Sequence, residues 1–276
     1  MAVVSLCTGC GLLRGSEDAG GALTAHERAA RATARGDQTG ALNALIEAGE
    51  KGDVRAQRQL YGMFKRGQGV PASEATATLW LTRLAEAGDP MAQILLAAKF
   101  EDGDGVAPDG ATAARWYRRA AEQGETRARV ILGTLYELGR GVPADLGEAA
   151  RWYRLAAESG DSLAQVSLGA LLEEGRGVQR DEAEALRWYD KAARQCDATA
   201  QLRLGSLYAL GRGTTHDLAK AYRLFAQVAA TGKEPVASLA RTQQQALAGR
   251  MSRDEIKRAK RQAAGACQPE PAAERK

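Results

Sequence analysis

The sequence predicts an all-α protein, a solenoid of stacked antiparallel helix pairs, on three observations. Ala56, Ala92, Ala128, Ala164 and Ala200 stand 36 residues apart, as do Gly67, Gly103, Gly139, Gly175 and Gly211. All four tryptophans, Trp80, Trp116, Trp152 and Trp188, fall in one column of that repeat. Within each unit, two stretches of helical apolar spacing are separated by glycine. A fixed period of about 20–50 residues is the mark of stacked units that cannot bury an apolar face alone.

The unit Ala128 to Leu163 shows how one hairpin is built. Ala128, Leu132, Leu135 and Tyr136 lie on one side of a first helix, helix A. Gly139 ends it, because a left-handed residue is needed there and glycine takes that conformation without a clash. Gly141-Val142-Pro143 forms the turn. Asp145 is an N-cap, and Glu148, three residues on, is expected to complete a capping box. A second helix, helix B, then carries Ala149, Trp152, Tyr153, Ala156 and Ala157, and Gly160 ends it. The same caps recur as Ser73, Asp109, Asp181 and Asp217, with Glu184 after Asp181. Leu60, Leu96, Leu132, Leu168 and Leu204 form the core column of helix A, and Ala77, Ala113, Ala149, Ala185 and Ala221 the small column of helix B. The tryptophans are expected to be core, packed against the leucine column.

The organisation read from this is a short apolar N-terminus and tether (1–22), a capping helix pair (23–55) and five repeats (56–235). Capping helices (236–264) and a disordered tail (265–276) follow. The ends of a solenoid depart from its pattern because one side of each must meet water. With a net charge of +4, the chain has no strong electrostatic reason to bind nucleic acid.

The segment Val-Val-Ser-Leu-Cys-Thr-Gly-Cys10 resembles the end of a bacterial lipoprotein signal, which would make Cys10 a lipidation site and a membrane tether. The alternative is an apolar N-terminus of a cytoplasmic adaptor. Cys7 and Cys10 have no second ligand pair for a metal, and Cys196 and Cys267 are free to pair only in an oxidising compartment.

The pattern Ala-x3-Leu-Gly-x-Leu-Tyr-x2-Gly-x-Gly-Val-x2-Asp-x3-Ala-x2-Trp-Tyr-x2-Ala-Ala-Glu-x-Gly-Asp resembles the Sel-one-like repeat, a relative of the tetratricopeptide repeat. The resemblance covers about residues 41–240. It implies a right-handed superhelix whose A helices line a concave groove. It also implies a non-catalytic scaffold or adaptor, often of the bacterial envelope, in the periplasm or anchored to the outer membrane. Some cysteine-rich members of the family are linked to β-lactam binding, but this chain lacks their repeated cysteines.

Catalysis has little support. His26 and His216 stand in unrelated positions, and neither a metal-spaced cluster nor a phosphate loop occurs. No cofactor is expected. The groove is the favoured site. Its expected lining is an apolar column two residues after each leading alanine (Arg58, Ile94, Val130, Val166, Leu202) and an acidic patch of Glu101, Asp102, Glu137, Glu173 and Glu174. Exposed Ile and Val in a row would call for a partner. Such a groove suits a protein or peptide with basic and apolar residues, bound by a monomer. A cell-wall glycan binder or a β-lactamase-like enzyme is the alternative from another class. The basic segment Arg250–Arg261 reads as a capping helix with a solvated face.

Overall fold

The computed structural model describes residues 23–263. Cys10, Cys267 and the expected tether and tail lie outside them. Every element among the described residues is a helix. In order they are α1 (Ala25–Ala34), α2 (Gln38–Glu50), α3 (Val54–Arg66), α4 (Glu74–Glu86), α5 (Pro90–Asp102), α6 (Gly110–Glu122) and α7 (Thr126–Leu138). Then come α8 (Leu146–Glu158), α9 (Ser162–Glu174), α10 (Glu182–Arg194), α11 (Ala198–Leu210), α12 (Leu218–Thr231), α13 (Val236–Ala248) and α14 (Arg253–Ala263). Consecutive helices pack on one another from α1 to α13, and α14 packs back on α12.

Local chemistry sets the ends of each helix. Gly67, Gly103, Gly139, Gly175 and Gly211 close the A helices α3, α5, α7, α9 and α11 in the left-handed conformation. Ser73, Asp109, Asp145, Asp181 and Asp217 cap the B helices α4, α6, α8, α10 and α12 through their side chains. The expected capping boxes are corrected. Asp145 accepts from Gly147 and Glu148 at 2.9 and 3.0 Å, but its own N–H already donates to the Tyr136 carbonyl at 2.9 Å. Glu148 therefore turns to Arg151 at 3.0 Å, and Glu184 to Arg154 and Trp188. The same backbone bond ties Asp109 to Phe100, Asp181 to Leu172 and Asp217 to Tyr208, so each hairpin is closed by its own main chain.

Inside the hairpins of the third and fourth units, the tyrosine after the tryptophan presses on a glycine of helix A. A β-carbon added to Gly133 would lie 2.7 Å from the Tyr153 ring, and one added to Gly169 would lie 2.7 Å from Tyr189. The five leucines of the core column are buried. Trp80, Trp152 and Trp188 are buried and Trp116 is half-buried. Trp80 and Leu60 meet against Gly49 of the preceding pair, so this tryptophan seals the joint between units as well as its hairpin. A cation covers each ring, from Arg83, Arg119, Arg151 and Lys191 at 3.9–4.7 Å to the centroid.

Two further devices join units. Gln57, Gln93, Gln165 and Gln201 are buried, and each donates from Nε2 to a carbonyl near the end of the preceding B helix, at 2.9–3.3 Å. Gln123 and Gln195 in turn donate to Gln93 and Gln165. Second, Gly105, Gly141, Gly177 and Gly213, each two after a helix-A cap, lie against the start of the previous helix B. A β-carbon on Gly141 would lie 2.1 Å from the Gly110 carbonyl oxygen, and one on Gly177 2.4 Å from Leu146.

Candidate partner-binding face

The expected groove residues fall into two groups. Arg58 is exposed and pairs with Asp89 at 2.5 Å. Glu101, Asp102 and Glu174 are exposed, Glu137 is half-buried and Glu173 is buried. The apolar column is not the exposed row expected of it. Ile94 and Val130 are buried, and Val166 and Leu202 are half-buried. The reason is angular. At about 100° per residue, positions two and nine of helix A point roughly 80° away from the open side, toward helix B and the next unit.

The acidic column does structural work there. Tyr117 donates to Glu101 at 3.1 Å, Tyr153 to Glu137 at 2.9 Å and Tyr189 to Glu173 at 3.0 Å. Burial, reinforced by the neighbouring carboxylate, raises all three phenols, Tyr153 to about 12. They therefore stay protonated as donors at neutral pH. Arginines of the next turn balance the charge, with Arg212 at 3.1 Å from Glu173 and Arg176 at 3.9 Å from Glu137. The pairing had a sequence signal that the column-by-column reading missed. Glu goes with Tyr in units two to four, whereas unit five has Ala209 with Phe225 and unit one Lys65 with Leu81.

The open side of the A helices carries positions one before and three, six and ten after the leading alanine, which fall within about 60° of each other. It shows Met91 (54% exposed), Leu95 (37%), Leu138 (54%), Leu163 (58%) and Leu210 (61%). Most of the large exposed hydrophobic side chains of the described residues stand on this one face. Ile131 is half-buried between them. Arg55, Gln59, Arg66, Asp102, Arg127, Glu174 and Arg203 surround the row and are exposed. This is a mixed-charge rim around apolar anchors, a surface suited to a polypeptide.

Among the described residues, no three His, Cys, Asp or Glu converge to hold a metal ion, and no helix is long and apolar enough to cross a membrane. His216 is exposed in a turn, 3.3 Å from Arg250.

The Sel1 repeat family model matches residues 60–89, 90–125, 126–161, 162–195 and 198–231. The chain belongs to the Sel1 repeat family. Among solved structures it is similar to c5321, a protective antigen present in uropathogenic Escherichia coli strains that displays an SLR fold. Identity is 34% over 83% of this chain, with a TM-score of 0.65. The chain spans 49% of that protein's length. It is also similar to a Sel1 repeat protein from Oxalobacter formigenes, at 31% identity over 86% of this chain and 98% of that one, with a TM-score of 0.58. No curated protein matches. Sel1 repeat proteins are in general scaffolds for protein–protein interaction.

Proposed function

We propose that this Sel1 repeat chain is a non-catalytic scaffold of the bacterial cell envelope that holds a protein partner along the open face of its A helices. The observation that carries the reading is the row Met91, Leu95, Leu138, Leu163 and Leu210, large apolar side chains left in water across four consecutive units. Exposed leucines that serve no fold are retained against a solubility cost, and a partner that covers them removes that cost. The partner's chemistry follows from the rim. It offers apolar anchors to the row, acidic groups toward Arg55 and Arg66, and basic groups toward Asp102 and Glu174. The fully basic ligand expected from the acidic column is less suited, because Glu137 and Glu173 already hold tyrosines and arginines.

The envelope part of the reading is supported by the lipoprotein-like segment ending at Cys10 and by the disulfide of Cys196, a bond that persists in oxidising compartments. The protective-antigen description of c5321 is a role that fits an exported protein. Labelled palmitate on the chain, lost in Cys10→Ser, is the expected result. An unlabelled chain with reduced Cys196 would favour a cytoplasmic adaptor of the same fold.

The interaction is tested by photo-cross-linking in cells from residue 138 or 163, with residue 151 on helix B as the control. Adducts from the first two sites, lost when Leu95 and Leu210 are both changed to Glu, are expected. Equal adducts from residue 151 would move the partner to the helix-B side.

A further inference from the structure

The fifth repeat departs from the column pattern at three positions on one face of α12, spaced i, i+4 and i+7. Leu224 stands where the earlier units have Trp80, Trp116, Trp152 and Trp188. Gln227 stands where Arg83, Arg119 and Lys191 cover three of those rings. Lys220 stands where the third and fourth units have Glu148 and Glu184. Arg223, in contrast, keeps the column of Arg115, Arg151 and Arg187.

Those departures coincide with a cavity of about 400 Å³ between α10, α11, α12 and α14. Leu204, Tyr208 and Leu224 give it an apolar wall, and Lys220, Arg223 and Gln227 line it beside them. In the third repeat Arg151 pairs with Glu148, one turn earlier, at 3.0 Å. In the fifth the same spacing sets Arg223 after Lys220, a like-charge pair that gives the helix no support. Arg223 is half-buried and forms no ion pair among the described residues, and its Nε is shut off from water without a hydrogen-bond partner. A cationic donor withdrawn from water without an acceptor is unfavourable, and a ligand that brings the acceptor relieves it. The side chain has no ion pair to give up when it turns to that ligand. The neighbouring charges are already matched. Arg194 donates from Nε to Asp190 at 2.8 Å, and Lys220 lies 3.7 Å from Asp217 and 4.9 Å over the Tyr208 ring. Asp190 and Asp217 thus balance Arg194 and Lys220, and one positive charge is left, on Arg223.

We propose that this cavity binds a small monocarboxylate with an apolar tail, held by the Arg223 guanidinium with Lys220 beside it. The planar fork of an arginine matches the two oxygens of a carboxylate. One unbalanced charge suits a monoanion better than a phosphate dianion. Leu204, Tyr208 and Leu224 take the tail, and the Gln227 amide is available to a polar group next to the carboxylate. Small-molecule sites begin at about 300 Å³, so the volume fits a ligand near the size of one amino-acid residue and not a long acyl chain. A free acid and the C-terminal residue of a peptide carry the same group. None of the open-face residues takes part, so the proposal is independent of the interaction reading.

The test is calorimetric titration of the full chain with N-acetyl-leucine, N-acetyl-phenylalanine, the amide of each, inorganic phosphate and a tetrapeptide ending in leucine. Saturable binding of at least one of the two acids is expected, with its amide and phosphate weaker by roughly tenfold or more. Tighter binding of the tetrapeptide would identify a chain end as the source of the carboxylate, and equal affinity a free acid. Arg223→Gln should weaken the acid by roughly tenfold or more. Lys220→Glu sets the acid of the third repeat before Arg223, so it should remove binding while the melting temperature holds or rises. That variant separates a lost ligand from a lost fold. The proposal is overturned by equal binding of acid and amide, by tighter binding of phosphate, by full affinity in Arg223→Gln, or by no binding of any carboxylate up to about 10 mM.

Discussion

The tyrosine–glutamate pair of the fourth repeat invites a double-mutant cycle whose outcome the fifth repeat foreshadows. Tyr189 is fully buried and its hydroxyl donates to Glu173 at 3.0 Å, while Arg212 reaches the other oxygen of the same carboxylate at 3.1 Å. Tyr189→Phe removes a hydrogen bond to a charged group, which costs about 1.5–3 kcal/mol. Glu173→Ala leaves the Tyr189 hydroxyl buried without an acceptor, which costs about 1–3 kcal/mol. The double change removes both partners together and reproduces the Ala209 and Phe225 of the next unit. It should therefore cost about 1–2 kcal/mol less than the sum of the single changes. The equivalent cycle at Tyr117 and Glu101 should couple by less than about 1 kcal/mol, because Glu101 is exposed and water competes for its carboxylate. Urea unfolding at pH 7, followed by both circular dichroism and tryptophan fluorescence, measures each corner and checks that the two probes coincide. Additive single changes at Tyr189 and Glu173 would show that the column does not act as pairs.

Three further outcomes are expected. Trp152→Ala should cost about 3–5 kcal/mol, since the residue is 3% exposed within the continuous core, and an unmoved melting temperature would refute a core role. Gln165→Ala should cost about 1–3 kcal/mol, because it removes two hydrogen bonds, the one to the Ala157 carbonyl and the one from the Gln195 amide. Gln57→Ala should cost less, since the Gln57 carbonyl oxygen already has no partner, and equal losses in urea would contradict this. Finally, the hydrogen bond from Arg154, with a smaller contribution from Trp188, holds the Glu184 carboxyl below its ordinary value. A depressed folded-state pKa contributes stability that is present above the unfolded value, near 4.5, and is lost as pH falls through the folded one. Glu184→Gln should accordingly destabilise at pH 7 and flatten that part of the acid limb, and a parallel limb in both proteins would count against it.

Much of the fold could be read from residues that act locally. Gly139 and Asp145 announce a helix end and a helix start by their own backbone and side-chain chemistry, whatever surrounds them. Leu132 and Ala149 mark buried faces by spacing alone. The open face was harder to read. Ile94 and Leu95 are equally apolar neighbours, and only the angle at which α5 meets α6 decides that the first is buried and the second is wet. Glu173 reads as a solvated acid until Tyr189, sixteen residues on, is folded over it. The buried Gln165 was invisible for the same reason, since a polar residue in an amphipathic helix points to water unless a carbonyl from the previous unit awaits it.

The bare backbone contact at Gly141 sets the spacing of the stack on one edge. There the main chain of one repeat lies directly on the N-terminus of the previous helix B, with no room for a single carbon. An alanine at that position would wedge two units apart on that edge while the buried alanines and Arg129, which donates to the Ala121 carbonyl at 3.1 Å, hold them together elsewhere. The axis would bend at that joint. Curvature is thus adjustable one joint at a time, and with it the distance between Leu95 and Leu138 on the open face. A lineage of such chains can be refitted to a differently shaped partner without altering a single contact residue.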